Sequence, residues 1–208
     1  MQSRAPRAES PADTRFRLKR DRMLRAAAQC FNVKGYSGTS LKDVADLLGL
    51  TDAALYYYVR NKEELVYLCY VRAADVGREA MQRAIDEGGT GLEAVQRYLR
   101  YHIETMVGDQ GPIAIMSEIP SLDPEHRDEV LELSREHSAR FEAMLERGIT
   151  DSSIGDCDVR MTGNAIMGSL NWIPKWFHGD TAMGERIVEE FPRILSRALE
   201  ATGDRQPG

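Results

Sequence analysis

The stretch G49-L-T-D-A-A-L-Y-Y-Y-V-R-N-K-E-E-L65 sets Tyr56, Tyr57 and Tyr58 side by side, between a glycine and an asparagine that is followed three residues on by an acid. With Thr51 as a candidate cap, the spacing predicts a helix of barely two turns over 52–59. A helix that short buries one narrow face, so at least one tyrosine ring must point outward while Leu55 and Tyr58 face in. Upstream, Leu41, Val44, Ala45 and Leu48 fall at i, i+3, i+4 and i+7, with Thr39 or Ser40 to cap them and Gly49 to end them. Before that, Phe16, Met23, Leu24, Ala27, Ala28 and Phe31 give helical spacing over 15–34, stopped by Gly35. A longer helix bracing two short ones across a glycine turn is the layout of a helix-turn-helix, whose second short helix enters the major groove of DNA by its N-terminal residues.

The overall charge of −6 argues against a polyanion partner, but the charge is unevenly spread. Residues 1–65 carry 12 Lys/Arg against 8 Asp/Glu, a balance of +4, which leaves −10 on the rest. Such a polarity suits a basic head on an acidic body. The chain of 208 residues is long enough for an ordinary core, and its 42% hydrophobic content suffices to fill it. No run reaches the ~18 apolar residues of a membrane span and no secretion signal opens the chain, so a cytoplasmic location without membrane attachment is expected. Cys30, Cys69 and Cys157 are odd in number and far apart, which fits reduced thiols rather than a disulfide framework or a zinc site; no metal or cofactor is expected.

Beyond the head, Asn61-Lys-Glu-Glu64 predicts a capped helix over 62–86, interrupted by Gly88-Gly89-Thr90-Gly91. Further helices are expected over 92–107, 113–118, 124–148 (opened by Asp123-Pro124-Glu125), 158–177 (bent at Pro174) and 183–201 (kinked at Pro192). No alternating strand pattern competes. The expected fold is all-α with about nine helices, divided into a flexible tail over 1–13, a helix-turn-helix head over 14–62, a helical body over 63–203 and a second tail over 204–208.

The segment T39-S-L-K-D-V-A-D-L-L-G-L-T-D-A-A-L-Y-Y-Y-V-R-N-K-E-E-L65 resembles the DNA-binding domain of TetR-family regulators, over about 50 residues that begin in the first helix. Val59 departs from that pattern, standing where members usually carry Phe. The resemblance implies that Thr39 or Ser40, Thr51, Tyr56 and Lys62 grip phosphates, Lys62 as a mobile charge. Base reading would then fall to Asp52, Ala53 and Tyr57, with Lys42 or Arg60 at the edges. It also implies a homodimer on a palindromic double-stranded DNA operator, with repression as the default. Met161, Ile166 and Leu170 of one late helix and Ile187, Phe191 and Ile194 of the last are the candidate dimer contacts.

In such proteins the body holds a small hydrophobic effector. Met81, Met106, Ile113, Met116, Phe141 and Met144 are apolar and deformable candidates for that site, joined by Trp172 and Trp176 of N171-W-I-P-K-W-F177. That stretch and Pro120-Ser-Leu-Asp-Pro-Glu-His-Arg127 resemble, more loosely, the branch of the family that answers to acyl-CoA thioesters. A regulator of efflux or stress genes that senses a hydrophobic xenobiotic, and a helical adaptor or architectural protein without an effector, are the competing readings. An enzyme is not expected: His102, His126, His137 and His178 are scattered, and no nucleophile elbow, phosphate loop or H-E-x-x-H is present.

Overall fold

The computed structural model of the protein describes residues 10–108, 119, 121–177 and 179–200. Eight helices lie among them: α1 Pro11–Gly38, α2 Leu41–Leu48, α3 Asp52–Tyr56, α4 Lys62–Asp86, α5 Gly91–Val107, α6 Pro124–Thr150, α7 Val159–Trp176 and α8 Thr181–Arg197. The described residues contain no β-strand, and the all-α expectation holds. The helix expected over 113–118 falls outside the described residues. None of the described helices is long and apolar enough to cross a membrane.

Local chemistry sets most boundaries. Helix α1 starts at Pro11, inside the stretch expected as a tail, because Ser10 and Asp13 close a reciprocal capping box with proline in the first turn. It is interrupted at Gly35, whose φ of 70° no β-branched or bulky residue adopts cheaply. Helix α3 is three residues shorter than predicted. Its chain tightens into an i→i+3 bond from the Tyr58 amide to the Leu55 carbonyl, 2.9 Å, and stops being α-helical after Tyr56. Helix α8 begins two residues early because the Asp180 carboxylate accepts from the Met183 amide at 2.6 Å. At α6, Asp123 occupies the cap position without making a side-chain capping bond, so Pro124 marks that start.

Two apolar clusters form. The first joins α1, α2 and α3 to the front half of α4 through Phe31, Leu55, Leu65, Val66 and Cys69, with Val59 sealed beneath α3 at 2% exposure. The second fills the body between the rear of α4 and α5 to α8 around Tyr98, Leu99, Phe141, Leu145 and Leu170. Each such side chain, fully buried, contributes about 1.5–3 kcal/mol. Helix α4 belongs to both clusters. It is tied to α1 by Asp21, which bonds Arg25 at 2.8 Å and Arg72 across the helices. Burial alone would raise the Asp21 carboxyl, but the hydrogen bonds from Arg72 and Arg25 outweigh it and hold the group below the usual carboxylate range.

In the body, α5 lies between α4, α6 and α8, and α7 lies on α6. The tightest approach is backbone to backbone: a Cβ at Gly91 would fall 2.2 Å from Gly148. The start of α5 is completed from the end of α6, where Asp151 accepts from the Gly91 amide at 2.7 Å and Ser153 from the Leu92 amide at 3.0 Å. A polar group is embedded higher up. The Tyr98 hydroxyl meets His137 Nε2 at 2.8 Å, and His102 packs beside both rings. Burial, with His137 adding to it, pushes His102 down to about 3, and burial with Arg140 pushes His137 in the same direction.

Two stability measurements check this packing. Gly91→Ala adds helix propensity worth about 1 kcal/mol, yet it is expected to destabilise the chain by about 1–3 kcal/mol through overpacking against Gly148, read from urea unfolding. The pH dependence follows from His102, which stays neutral in the fold but takes up a proton in the unfolded chain. Stability should therefore fall as pH drops from about 6.5 toward about 3. His102→Leu should flatten that fall by up to about 1.4 kcal/mol per pH unit in thermal melts compared at pH 7 and pH 5.

Candidate DNA interface

Helices α2 and α3 present their N-termini on one side of the head. Ser40 caps α2 in a capping box with Asp43, and Thr51 caps α3 by accepting from the Ala54 amide at 3.3 Å. Between them Gly49 turns the chain at φ 66°, and the Leu50 amide closes back on the Ala45 carbonyl at 2.9 Å. Leu55 is completely buried, which rotates the rest of α3 outward. Thr51, Asp52 and Ala53 are exposed at its start, and Tyr56 and Tyr57 stand out at 57% and 74% exposure. Tyr58 is half-buried. Its ring stacks on Phe16 at 5.3 Å, which holds the exposed Phe16 against the end of α3.

A cleft of about 590 Å³ opens between these elements, and Ser40, Lys42, Asp52, Tyr56, Arg60 and Lys62 all line it. The arrangement offers hydroxyls, two helix starts and cations along one groove, which is the donor set that phosphate oxygens take. Two expected roles change. Thr39 is 2% exposed; its hydroxyl donates to the Gly35 carbonyl at 2.8 Å and the Cys30 carbonyl at 3.1 Å, so it closes the end of α1 instead of facing outward. Lys62 is not a mobile charge. Its ammonium donates to the carbonyls of Tyr36 at 2.8 Å and Thr39 at 3.0 Å and sits 4.1 Å over the Tyr36 ring. Lys42 is exposed at the cleft's rim, whereas Arg60 pairs with Glu64 at 3.1 Å. Lys34 pairs with Asp43, and that ion pair together with the Ser40 bonds holds the Asp43 carboxyl well below the usual range.

The next residue along α4 was not singled out by sequence reasoning. Glu63 accepts from the Asp123 amide at 3.0 Å and meets His126 Nδ1 at 2.9 Å, while His126 stacks on Tyr67 at 3.9 Å. The start of α4 is thereby fastened to the start of α6. Glu63, Asp123 and His126 have the donor types of a cation site, but the Glu63 carboxylate is already engaged by the other two residues. The partners lie about 60 positions apart in sequence, so no local pattern could have flagged them.

In the body, Met81, Met106, Phe141 and Met144 are brought together in the second core, each at most 3% exposed, and they pack as core. Ile113 and Met116 fall outside the described residues. Trp172 and Trp176 do not join the interior: they are 64% and 38% exposed, on the outer side of α7, with Trp176 5.7 Å from the half-buried Phe191. The set expected at a dimer contact divides. Ile166, Leu170 and Ile187 are buried within the protomer, because that side of α7 and α8 closes the body's core, while Met161 and Ile194 are exposed. Outward on α7 run Met161, Ala165, Gly168, Trp172 and Trp176, and a Cβ at Gly168 would meet nothing within 4 Å.

Similarity to known proteins follows the same division of the chain. Residues 23–67 match the family described as bacterial regulatory proteins, tetR family, and residues 88–199, more than half of the chain, match tetracyclin repressor-like, C-terminal domain. The structure of PfmR, a TetR family transcriptional regulator from Thermus thermophilus, superimposes with a TM-score of 0.73 at 32% identity, covering 86% of this chain and 99% of that one. The HTH-type transcriptional repressor KstR2 of Mycolicibacterium smegmatis is 23% identical over 198 residues, 90% of this chain and 94% of its own. AibR, solved in complex with isovaleryl coenzyme A and operator DNA, shares the fold at a TM-score of 0.68 and 22% identity over 84% of this chain and 97% of that one. With a helix-turn-helix at its front and both halves matched in order, the chain belongs to the TetR family of bacterial regulatory proteins.

Proposed function

We propose that the protein is a transcriptional repressor that binds a palindromic operator as a homodimer and is released from it by a small hydrophobic effector of the acyl-CoA class. The head over 14–62 meets DNA and the body over 63–203 holds the effector and the partner subunit. The observation that carries this reading is the groove in which Ser40, Lys42, Tyr56 and Lys62 converge beside the exposed start of α3. Thr51 and Tyr56 hydroxyls with Lys42 take phosphate oxygens and set the register, beside the α2 start that Ser40 caps with its O–H given to Asp43; Asp52, Ala53 and Tyr57 lie where base edges pass. Lys62 acts chiefly by holding the end of α1 against α4, so that the two helix starts keep their spacing.

One head covers a few base pairs, and useful specificity calls for two at a fixed separation. The outward apolar row on α7, with Ile194 on α8, is the surface a second subunit would cover, and Gly168 lets the helices approach closely. The effector class is supported by AibR, the relative solved in complex with isovaleryl coenzyme A and operator DNA. An effector that favours a body shape with α4 displaced lowers operator affinity, and DNA lowers effector affinity by the same factor, typically about 1–3 kcal/mol.

Fluorescence anisotropy with duplexes from upstream of the reading frame, against scrambled duplexes, tests the DNA reading; equal affinity for both sets refutes it. Lys42→Ala should weaken binding to every duplex and reduce the slope of log K against log salt by about one. Ile194→Glu combined with Trp172→Glu should convert dimer to monomer in light scattering at micromolar concentration, and a dimer that persists would move the interface elsewhere.

A further inference from the structure

Both ring nitrogens of His102 are closed off from solvent, and neither has a hydrogen-bond partner among the described residues. A buried polar group in that state destabilises the fold relative to an apolar side chain of similar shape. A neutral imidazole carries one donor and one acceptor, so two hydrogen-bonding positions stand open inside the body.

Several helices contribute the groups around that ring. The His102 ring lies 5.4 Å from Tyr98 and 6.2 Å from His137. The Tyr98 hydroxyl reaches His137 Nε2 at 2.8 Å and the Met167 sulfur at 3.7 Å, and Phe141 closes the other side of the Tyr98 ring at 5.3 Å. From α4, Gly77 leaves room for the His137 ring, since a Cβ there would come within 2.8 Å of Cε1. Four helices, α4 to α7, thus converge on one small polar group in an apolar interior. Burial keeps both histidines neutral near pH 7, and Arg140, the cation acting on His137, is solvent-exposed.

We propose that His102, with Tyr98 and His137 beside it, is the polar contact point of the effector site, and that it receives the uncharged carbonyl of an acyl thioester, not a carboxylate. Among the described residues a buried carboxylate would meet no desolvated cation to pair with, at a cost that a carbonyl avoids by accepting one N–H. This inference rests on the reading that a hydrophobic effector enters the body.

Isothermal calorimetry on the full chain, with isovaleryl-CoA and octanoyl-CoA as probes and isovalerate and octanoate as their free-acid counterparts, tests it. The expected result is binding of at least one thioester about tenfold or more tighter than its free acid. His102→Leu should lose about tenfold or more of that affinity and, by removing two unsatisfied atoms, raise the melting temperature of the ligand-free protein. His102→Gln, which keeps a donor and an acceptor, should recover much of the binding. If the wild type binds a thioester and His102→Leu binds it equally well, or if the free acid binds as tightly, the inference fails while the effector reading stands. A lower melting temperature for His102→Leu, or a crystal structure of the thioester complex with only a water on His102, overturns it too. If the wild type binds none of the four probes, the acyl-thioester reading fails and this inference with it.

Discussion

Lys62 and Glu63 are neighbours on the first turn of α4, yet they hold opposite neighbours. The lysine's ammonium is bonded to two carbonyls at the end of α1, and the glutamate's carboxylate is bonded to an amide and an imidazole at the start of α6. Each charge meets the helix end of opposite polarity, cation to carbonyls and anion to amide, so both contacts follow the alignment of backbone dipoles. One turn of helix therefore ties the end of α1 to the start of α6, beside the apolar contacts that Leu122 and Val130 make in the head's cluster. The two apolar clusters supply bulk stability on either side of it, and α4 contributes side chains to both.

That arrangement explains why the buried polar groups fall where they do. In the head they are consumed by the fold: the Thr39 hydroxyl closes the end of α1, and Asp21 is held between Arg25 and Arg72. In the body they are not all consumed, because His102 is packed among rings that offer it nothing in return. A helix-turn-helix must be rigid to present two helix starts at fixed spacing.

Capping chemistry made much of the fold legible in advance. Asn61, Thr51, Gly49 and Leu55 each act within a few residues, and each behaves in the structure as its sequence neighbourhood implies. Ser10 acts just as locally, capping α1 inside the stretch expected as a tail. The outward setting of Trp172 was readable from period alone, since Ile166, Leu170 and Ile173 claim the inner face and leave 161, 165, 168, 172 and 176 on the other. What was not readable depends on how helices are rotated against one another. Lys62 could have stayed in solvent, Glu63 has a partner 63 positions away, and Gly91 looked like part of a loop until Gly148 was laid across it. Periodicity tells which face of a helix is buried, not what it is buried against.

The glycine crossing has a mechanical meaning. With backbones touching at Gly91 and Gly148, α5 and α6 cannot slide or close further there, and any relative motion becomes a pivot about that point. Along α6, treated as a rigid rod, His137 lies about 16 Å from the pivot and His126 about 33 Å. A wedge that parts the helices at the level of His137 would thus be magnified about twofold at His126, the residue that grips Glu63. By that lever a displacement of about 0.5 Å at His137 corresponds to about 1 Å at His126, enough to carry its 2.9 Å bond to Glu63 beyond hydrogen-bonding distance.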